Sequence, residues 1–205
     1  GMPVIYALKR DASGNYWLGS NYSHLVMLDP HLAFSKEYRV TRQFFNIEDV
    51  EFGEEGILWL ALLGGGLCRF DPVTNQSVVF TTADGLANNT CYSILKDRQG
   101  TLWITTNQGL SRFFPTTCRF RNYGPSDGLQ INEFNSDAAF VAPDGTFFFG
   151  GMGGVVSFHP DAANMDSARD SQAPLLITDL RTEGNSLYFQ RALYELDTVR
   201  LPRGT

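Results

Sequence analysis

Aromatic residues at Trp17, Trp59, Trp103 and Phe148 each stand three positions after a glycine, at Gly14, Gly56, Gly100 and Gly145, so the chain repeats with spacings of 42, 44 and 45 residues. Units of this length, built from short apolar runs between turn residues, point to a β-propeller rather than a single packed sandwich or a helical domain. Six residues before each glycine stand Leu8, Val50, Ile94 and Ala139. That pattern predicts a first strand with one buried face. A polar turn follows: Asp11-Ala-Ser-Gly14, Gly53-Glu-Glu-Gly56, Asp97-Arg-Gln-Gly100 and Pro143-Asp-Gly145. A bulged hairpin needs one residue at positive φ, which glycine reaches at least cost.

The aromatic falls in the second strand, and two positions later comes a small residue: Gly19, Ala61, Thr105 or Gly150. A side-chain period of two puts the large and small residues on one face, so a ring from one blade can fill the space left by its neighbour. All four rings are expected to be buried. A third strand closes at Leu28-Asp-Pro30, Phe70-Asp-Pro72, Phe113-Phe-Pro115 and Phe158-His-Pro160, since proline cannot donate to a sheet ladder. Outer strands are predicted at Phe34 to Val40, Ser77 to Thr81 and Arg119 to Tyr123. After Pro160 the alternation stops. The fold class is therefore all-β: a propeller segment of four four-stranded blades, the last lacking its own outer strand, with a truncated β tail. The blades are expected at about 2–42, 43–86, 87–130 and 131–160, a linker at 161–173, and the tail at 174–205.

Composition bounds the function. A hydrophobic content of 43%, an aromatic content of 13% and 20 glycines suit a sizeable core with many turns. No run approaches the roughly 18 apolar residues of a membrane span, and no basic-then-apolar leader precedes the first unit. The chain is expected to be soluble, without membrane contact. A net charge of −6 disfavours nucleic acid and anionic membranes, which recruit basic surfaces. Cys68, Cys91 and Cys118 are expected to be small buried hydrophobes.

No catalytic constellation stands out. His24, His31 and His159 are too scattered for a metal site, no phosphate-binding glycine loop precedes a helix, and paired acids such as Glu54-Glu55 fall in a turn. Neither metal nor cofactor is expected.

The unit running from Cys91-Tyr-Ser-Ile-Leu through Gly100-Thr-Leu-Trp103 to Phe113, with Ser126-Asp-Gly-Leu129 after it, resembles the two-component regulator propeller repeat. Gly128-Leu-Gln-Ile-Asn-Glu-Phe-Asn135, continued by Asp144 to Gly151 and Phe158-His-Pro160, resembles the last blade of such a sensor. Pro174-Leu-Leu-Ile-Thr-Asp-Leu180 is similar to the start of the immunoglobulin-like module that follows it in that family, so 174–205 reads as a truncated start of that module. The resemblance implies a non-catalytic, periplasmic sensing region of a hybrid two-component system. It also implies propellers of seven blades that bind oligosaccharides from polysaccharide breakdown and signal to a histidine kinase, whose motifs this chain lacks. Two other classes remain open: a propeller lyase with a channel-facing histidine, for which His24 alone is roughly placed, and a protein-interaction scaffold.

Strand parity locates a ligand rim. In an up-and-down blade, loops between strands two and three share a rim with the loops that link blades. The first set holds Asn21, Tyr22, Asn107 and Gln108; the second holds Asn88, Asn89, Gln130, Asn132 and Glu133. Amides donate and accept, and a ring can stack on a sugar face. The candidates for an oligosaccharide are Tyr22, Asn107, Gln108, Asn132 and Glu133, against the alternative that these residues only form turns. Four blades leave sheet faces without neighbours, so self-association is expected, with the tail from Pro174 covering a face or exchanging between chains.

Overall fold

The computed structural model describes residues 3–161 and two short strands at 181–182 and 185–186. The chain divides into two compact units, Gly1–Ala163 and Asn164–Thr205. The first unit holds four antiparallel meanders. Blade 1 comprises β1 (Ile5–Arg10), β2 (Tyr16–Ser20), β3 (His24–Leu28) and β4 (Phe34–Arg39). Blade 2 comprises β5 (Ile47–Phe52), β6 (Leu58–Leu62), β7 (Gly66–Asp71) and β8 (Gln76–Phe80). Blade 3 comprises β9 (Cys91–Lys96), β10 (Leu102–Thr106), β11 (Gly109–Phe114) and β12 (Arg119–Tyr123). Blade 4 comprises β13 (Phe134–Val141), β14 (Phe147–Gly151) and β15 (Gly154–Phe158), with no fourth strand among the described residues. The architecture is the all-β, four-blade propeller segment that the repeat predicts.

In the second unit, β16 (Arg181–Thr182) pairs with β17 (Asn185–Ser186). Apart from this ladder, the linker 161–173, the run Pro174–Leu180 and the immunoglobulin-like module lie outside the described residues, except for Asp161.

The hairpins form as their residue types dictate. Gly100 sits at φ +79°, and its N–H returns to Asp97 O at 3.0 Å; Gly14, Gly56 and Gly145 repeat that conformation. The Asp97 carboxylate accepts from the N–H groups of Gln99 (3.0 Å) and Thr101 (2.9 Å) and from Trp103 Nε1 (3.0 Å). One side chain thus ties the turn to the core aromatic of the next strand.

Blades pack through the inner strands in the order β1, β5, β9, β13. The small residue of the predicted large-and-small pair makes room for the next blade at the junction of blades 1 and 2. A Cβ at Gly19 would come within 2.6 Å of Ile47 Cγ2 on blade 2, so only a hydrogen fits there. Trp17 joins Val50, Leu60 and Phe70 in one core cluster, and Trp59 joins Ile94, Leu102 and Phe113 in a second. Trp103 lies 4.8 Å, centroid to centroid, from Phe158 on blade 4. Each aromatic therefore points at the blade that follows its own.

Three expectations are corrected, the first two by this directionality. Phe148, at the repeat position of the tryptophans, is 37% exposed because among the described residues no blade packs onto that face of blade 4. Leu8 is 63% exposed although its equivalents Val50 and Ile94 are fully buried, because among the described residues no blade packs onto that side of β1. Cys118 is exposed, unlike Cys68 and Cys91; it sits at φ +53° in the turn before the outer strand β12.

Candidate functional site

The loops between second and third strands and the loops between blades meet on one rim, as parity requires. Hydrogen bonds join the two sets at every blade: Ser23 N–H to Phe45 O (2.7 Å), Leu63 N–H to Asn46 O (3.0 Å), Asn107 N–H to Thr90 O (3.1 Å) and Met152 N–H to Glu133 O (2.8 Å). Gly109 N–H also donates to Asn132 O at 2.6 Å. The loops are thus braced against each other by main chain.

Of the sequence candidates, the structure gathers those of blades 3 and 4. Asn107 is exposed and its Oδ1 accepts from Tyr92 Oη at 3.1 Å. Asn132 Oδ1 would lie 3.4 Å from a Cβ at Gly109, which follows the exposed Gln108 directly. Glu133 is exposed beside them. Tyr22 belongs elsewhere: it is on blade 1 at φ +59° and packs edge-to-face on Phe44 at 5.8 Å. Asn88 and Asn89 serve the turns, with their Oδ1 atoms accepting from Thr90 N–H and Thr82 N–H, both at 2.8 Å.

Two further residues, Glu48 and Tyr92, belong to this site and were not anticipated. Inner strands β1, β5, β9 and β13 each break register by a bulge near the rim end; a bulge re-aims side chains. Tyr6, Glu48 and Tyr92 occupy the same place in their units, eight residues before the turn glycine, a polar position in an otherwise apolar strand that would have revealed them. Glu48 is only 5% exposed and accepts from Ser136 Oγ at 2.9 Å, a bond that links blade 2 to blade 4 across the inner strands. The Tyr92 hydroxyl titrates above its ordinary range, because burial disfavours the phenolate and the charges of Glu48 and Glu133 repel it. It remains a neutral donor at physiological pH.

Below this layer, Asp49 is held by Lys9 Nζ at 3.1 Å and accepts from Ile94 N–H at 2.8 Å, joining blades 1, 2 and 3. Burial raises its pKa, against the opposing pull of Lys9 and of the hydrogen bonds from Ile94, Lys9 and Val50. The same rim also carries a groove of about 610 Å³ between blades 1 and 2, lined by Thr41, Gln43, Phe45, Gly65, Thr81 and Asn89. That volume is within the range of small-molecule pockets.

His24 does not reach the centre. It lies on β3, two strands from the inner strand, where its Nδ1 is bonded to Glu37 on β4. Among the described residues, no three His, Cys, Asp or Glu side chains come together to hold a metal ion, and no helix is long and apolar enough to cross a membrane.

Residues 85–108 match the two-component regulator propeller family. That stretch carries the two-component regulator propeller repeat. The matched stretch includes the Gly100 turn, Trp103 and the rim residue Asn107, so the repeat itself builds part of the site. The chain is 34% identical over 104 residues to histidine kinase P4 of Formosa agariphila, an overlap covering 51% of this chain and 7% of that protein. Among solved structures it is similar to the extracellular domain of a protein described as a hybrid two-component system of B. thetaiotaomicron (TM-score 0.66, 21% identity, 91% of this chain and 26% of that one). It also shares its fold with virginiamycin B lyase of Staphylococcus aureus (TM-score 0.54, 13% identity, 78% of this chain and 57% of that one). This chain spans a small part of the kinase and of the extracellular domain, and the two low identities speak to the fold alone.

Proposed function

We propose that this chain is a sensing segment of the extracellular region of a two-component system, on the periplasmic side, and that its amide-bearing rim binds a neutral oligosaccharide. The observation that carries this reading is the cluster at blades 3 and 4, where Asn107, Tyr92, Asn132 and Glu133 surround the rim end of the inner strands within and beside the matched repeat. Amides and a neutral phenol suit hydroxyl groups. The carboxylates of Glu48 and Glu133 and the net charge of −6 oppose an acidic sugar at this rim. Affinity by this segment alone is weak, because a site spread over several loops must offset the lost freedom of its ligand with the contacts it retains.

Titration calorimetry against neutral and acidic oligosaccharides tests the reading. Millimolar binding of a neutral oligosaccharide, weakened at least tenfold by Asn107→Ala and by Tyr92→Phe, is expected. Binding insensitive to both changes would remove the site, and turnover abolished by His24→Ala would replace the sensor with a lyase. The position of His24 on β3 argues against the latter.

The same proposal includes association with a second copy. The face bearing Phe148 and Gly150 has the large-and-small pattern that blades 1 to 3 press onto the next inner strand, and the face bearing Leu8 is the counterpart that Val50 and Ile94 offer within the chain. Blade 4 of one copy therefore matches blade 1 of another.

A further inference from the structure

The opposite rim, made by the hairpins between first and second strands, contains a triad that is complete in blade 3 and incomplete in blade 2. In blade 3, Asp97 Oδ2 accepts from Trp103 Nε1 at 3.0 Å and lies 3.6 Å from Arg112 Nη2. Trp103 and Arg112 are cross-strand partners, and the guanidinium stacks on the indole at 4.8 Å. Blade 1 keeps the carboxylate, with Trp17 Nε1 donating to Asp11 Oδ2 at 2.9 Å. Blade 2 keeps the cation and the ring, since Trp59 and Arg69 pair across β6 and β7 in the same register. Where Asp11 and Asp97 stand, however, it has Gly53.

The consequence is an indole donor that no protein acceptor satisfies and that borders an open cleft. Trp59 is 5% exposed, and among the described residues its Nε1 has no hydrogen-bond partner. A Cβ at Gly53 would stand 2.8 Å from that nitrogen, so the N–H edge looks out over residue 53. Trp59, Gly53 and Arg69 all line one cleft of about 540 Å³ between the hairpins of blades 2 and 3, with Lys96, Gln99 and Thr101 on its other side. Glu54 and Glu55 also border the cleft, and Arg69 lies within electrostatic reach of Asp71. Asp71 is occupied by the N–H groups of Val73 and Thr74, at 2.8 and 3.2 Å.

We propose that this cleft binds the carboxylate of a small sugar acid, with Trp59 Nε1 and Arg69 holding the acid group as Trp103 and Arg112 hold Asp97. A bidentate or paired donor set of this kind selects a charged planar acceptor over a hydroxyl. Gln99 and Thr101 supply donors and acceptors for the ring hydroxyls, and the cleft is large enough for a sugar ring. The site is on the rim opposite Asn107 and Tyr92 and stands independently of the neutral-oligosaccharide reading.

The test follows the three indole N–H resonances of the intact chain by 15N-edited NMR, with Trp59 assigned through Trp59→Phe. D-glucuronate, D-glucose and acetate are titrated at constant ionic strength and pH 7. Glucuronate is expected to shift the Trp59 resonance saturably while Trp17 and Trp103, already bonded to carboxylates, stay in place. Glucose is expected to leave all three unmoved, and acetate to bind at least tenfold more weakly than glucuronate. Arg69→Gln should weaken glucuronate at least tenfold with the Trp17 and Trp103 resonances unchanged, which also shows that the variant is folded. A Trp59 signal that ignores glucuronate, responds equally to glucose, or shifts as well in Arg69→Gln would overturn the site. Acetate binding as tightly as glucuronate would overturn the assignment of a sugar acid.

Discussion

Blades 3 and 4 each carry a glycine, an aromatic and a small residue at the same spacing, yet Trp103 is fully buried and Phe148 is 37% exposed. The strands are equivalent; only the neighbours differ. A propeller blade presents two faces of different character, one led by the aromatic of its second strand and one by an aliphatic of its first. Each face is complete only when the adjacent blade is present. Blade 3 has both neighbours and buries both faces, whereas blade 4 covers Phe147 and Phe149 but leaves Phe140 and Phe148 exposed. A conserved pattern within one chain therefore specifies what a blade can pack against, and not whether it does.

The largest expected effect separates these two rings. Trp103→Ala should cost about 3–5 kcal/mol, the range for truncating a large buried aromatic, while Phe148→Ala should cost about 1 kcal/mol or less because much of its ring already meets water. Urea denaturation of both variants reads the difference, and equal losses would break the comparison. Next come the hairpin acids. Asp97 is buried and paired with Arg112, and Asp97→Asn should cost on the order of 3 kcal/mol. Asp11, more open in blade 1, should cost about 1 kcal/mol on change to Asn, through loss of its charged hydrogen bonds.

Acid sharpens the same contrast. Burial pushes the Asp11 carboxyl upward, but the hydrogen bonds from Trp17, Asn15 and Ser13 outweigh it and hold the group below its ordinary value. Because the folded value lies below the unfolded one, its contribution is complete above about pH 4 and is lost as pH falls through the folded value. Stability of Asp11→Asn should consequently fall less steeply than that of the parent chain between about pH 4 and 2. A parallel acid limb in the two proteins would contradict the assignment. The smallest effect carries no stability cost: one thiol, Cys118, should react rapidly with a thiol reagent in the folded chain. Burial pushes the Cys68 thiol up to about 12 and raises Cys91 as well, so both should react only after unfolding.

The blades were legible because their signals are local. A glycine at positive φ, the aromatic three residues on and a proline at the strand end each act within a few residues, and the first three strands of every unit fall where those signals place them. Parity then placed Asn107, Asn132 and Glu133 on one rim. Burial at Leu8 and Phe148 was not legible, because it depends on a neighbour in space that no residue in the unit encodes. Glu48 and Tyr92 were missed for another reason: a bulge shifts which way an inner-strand side chain points, and simple alternation assigns them to the wrong face. Trp59 looked identical to its equivalents until the triad of blade 3 showed what Gly53 omits.

Sedimentation velocity over a wide concentration range tests the central claim, that the two end faces are halves of a blade interface, most directly. The account predicts concentration-dependent association of the parent chain and a monomer for both Leu8→Lys and Phe148→Lys, each of which places a charge on one half of that interface. A parent chain that sediments as a single monomer at every concentration, or an assembly that survives both substitutions, would contradict it.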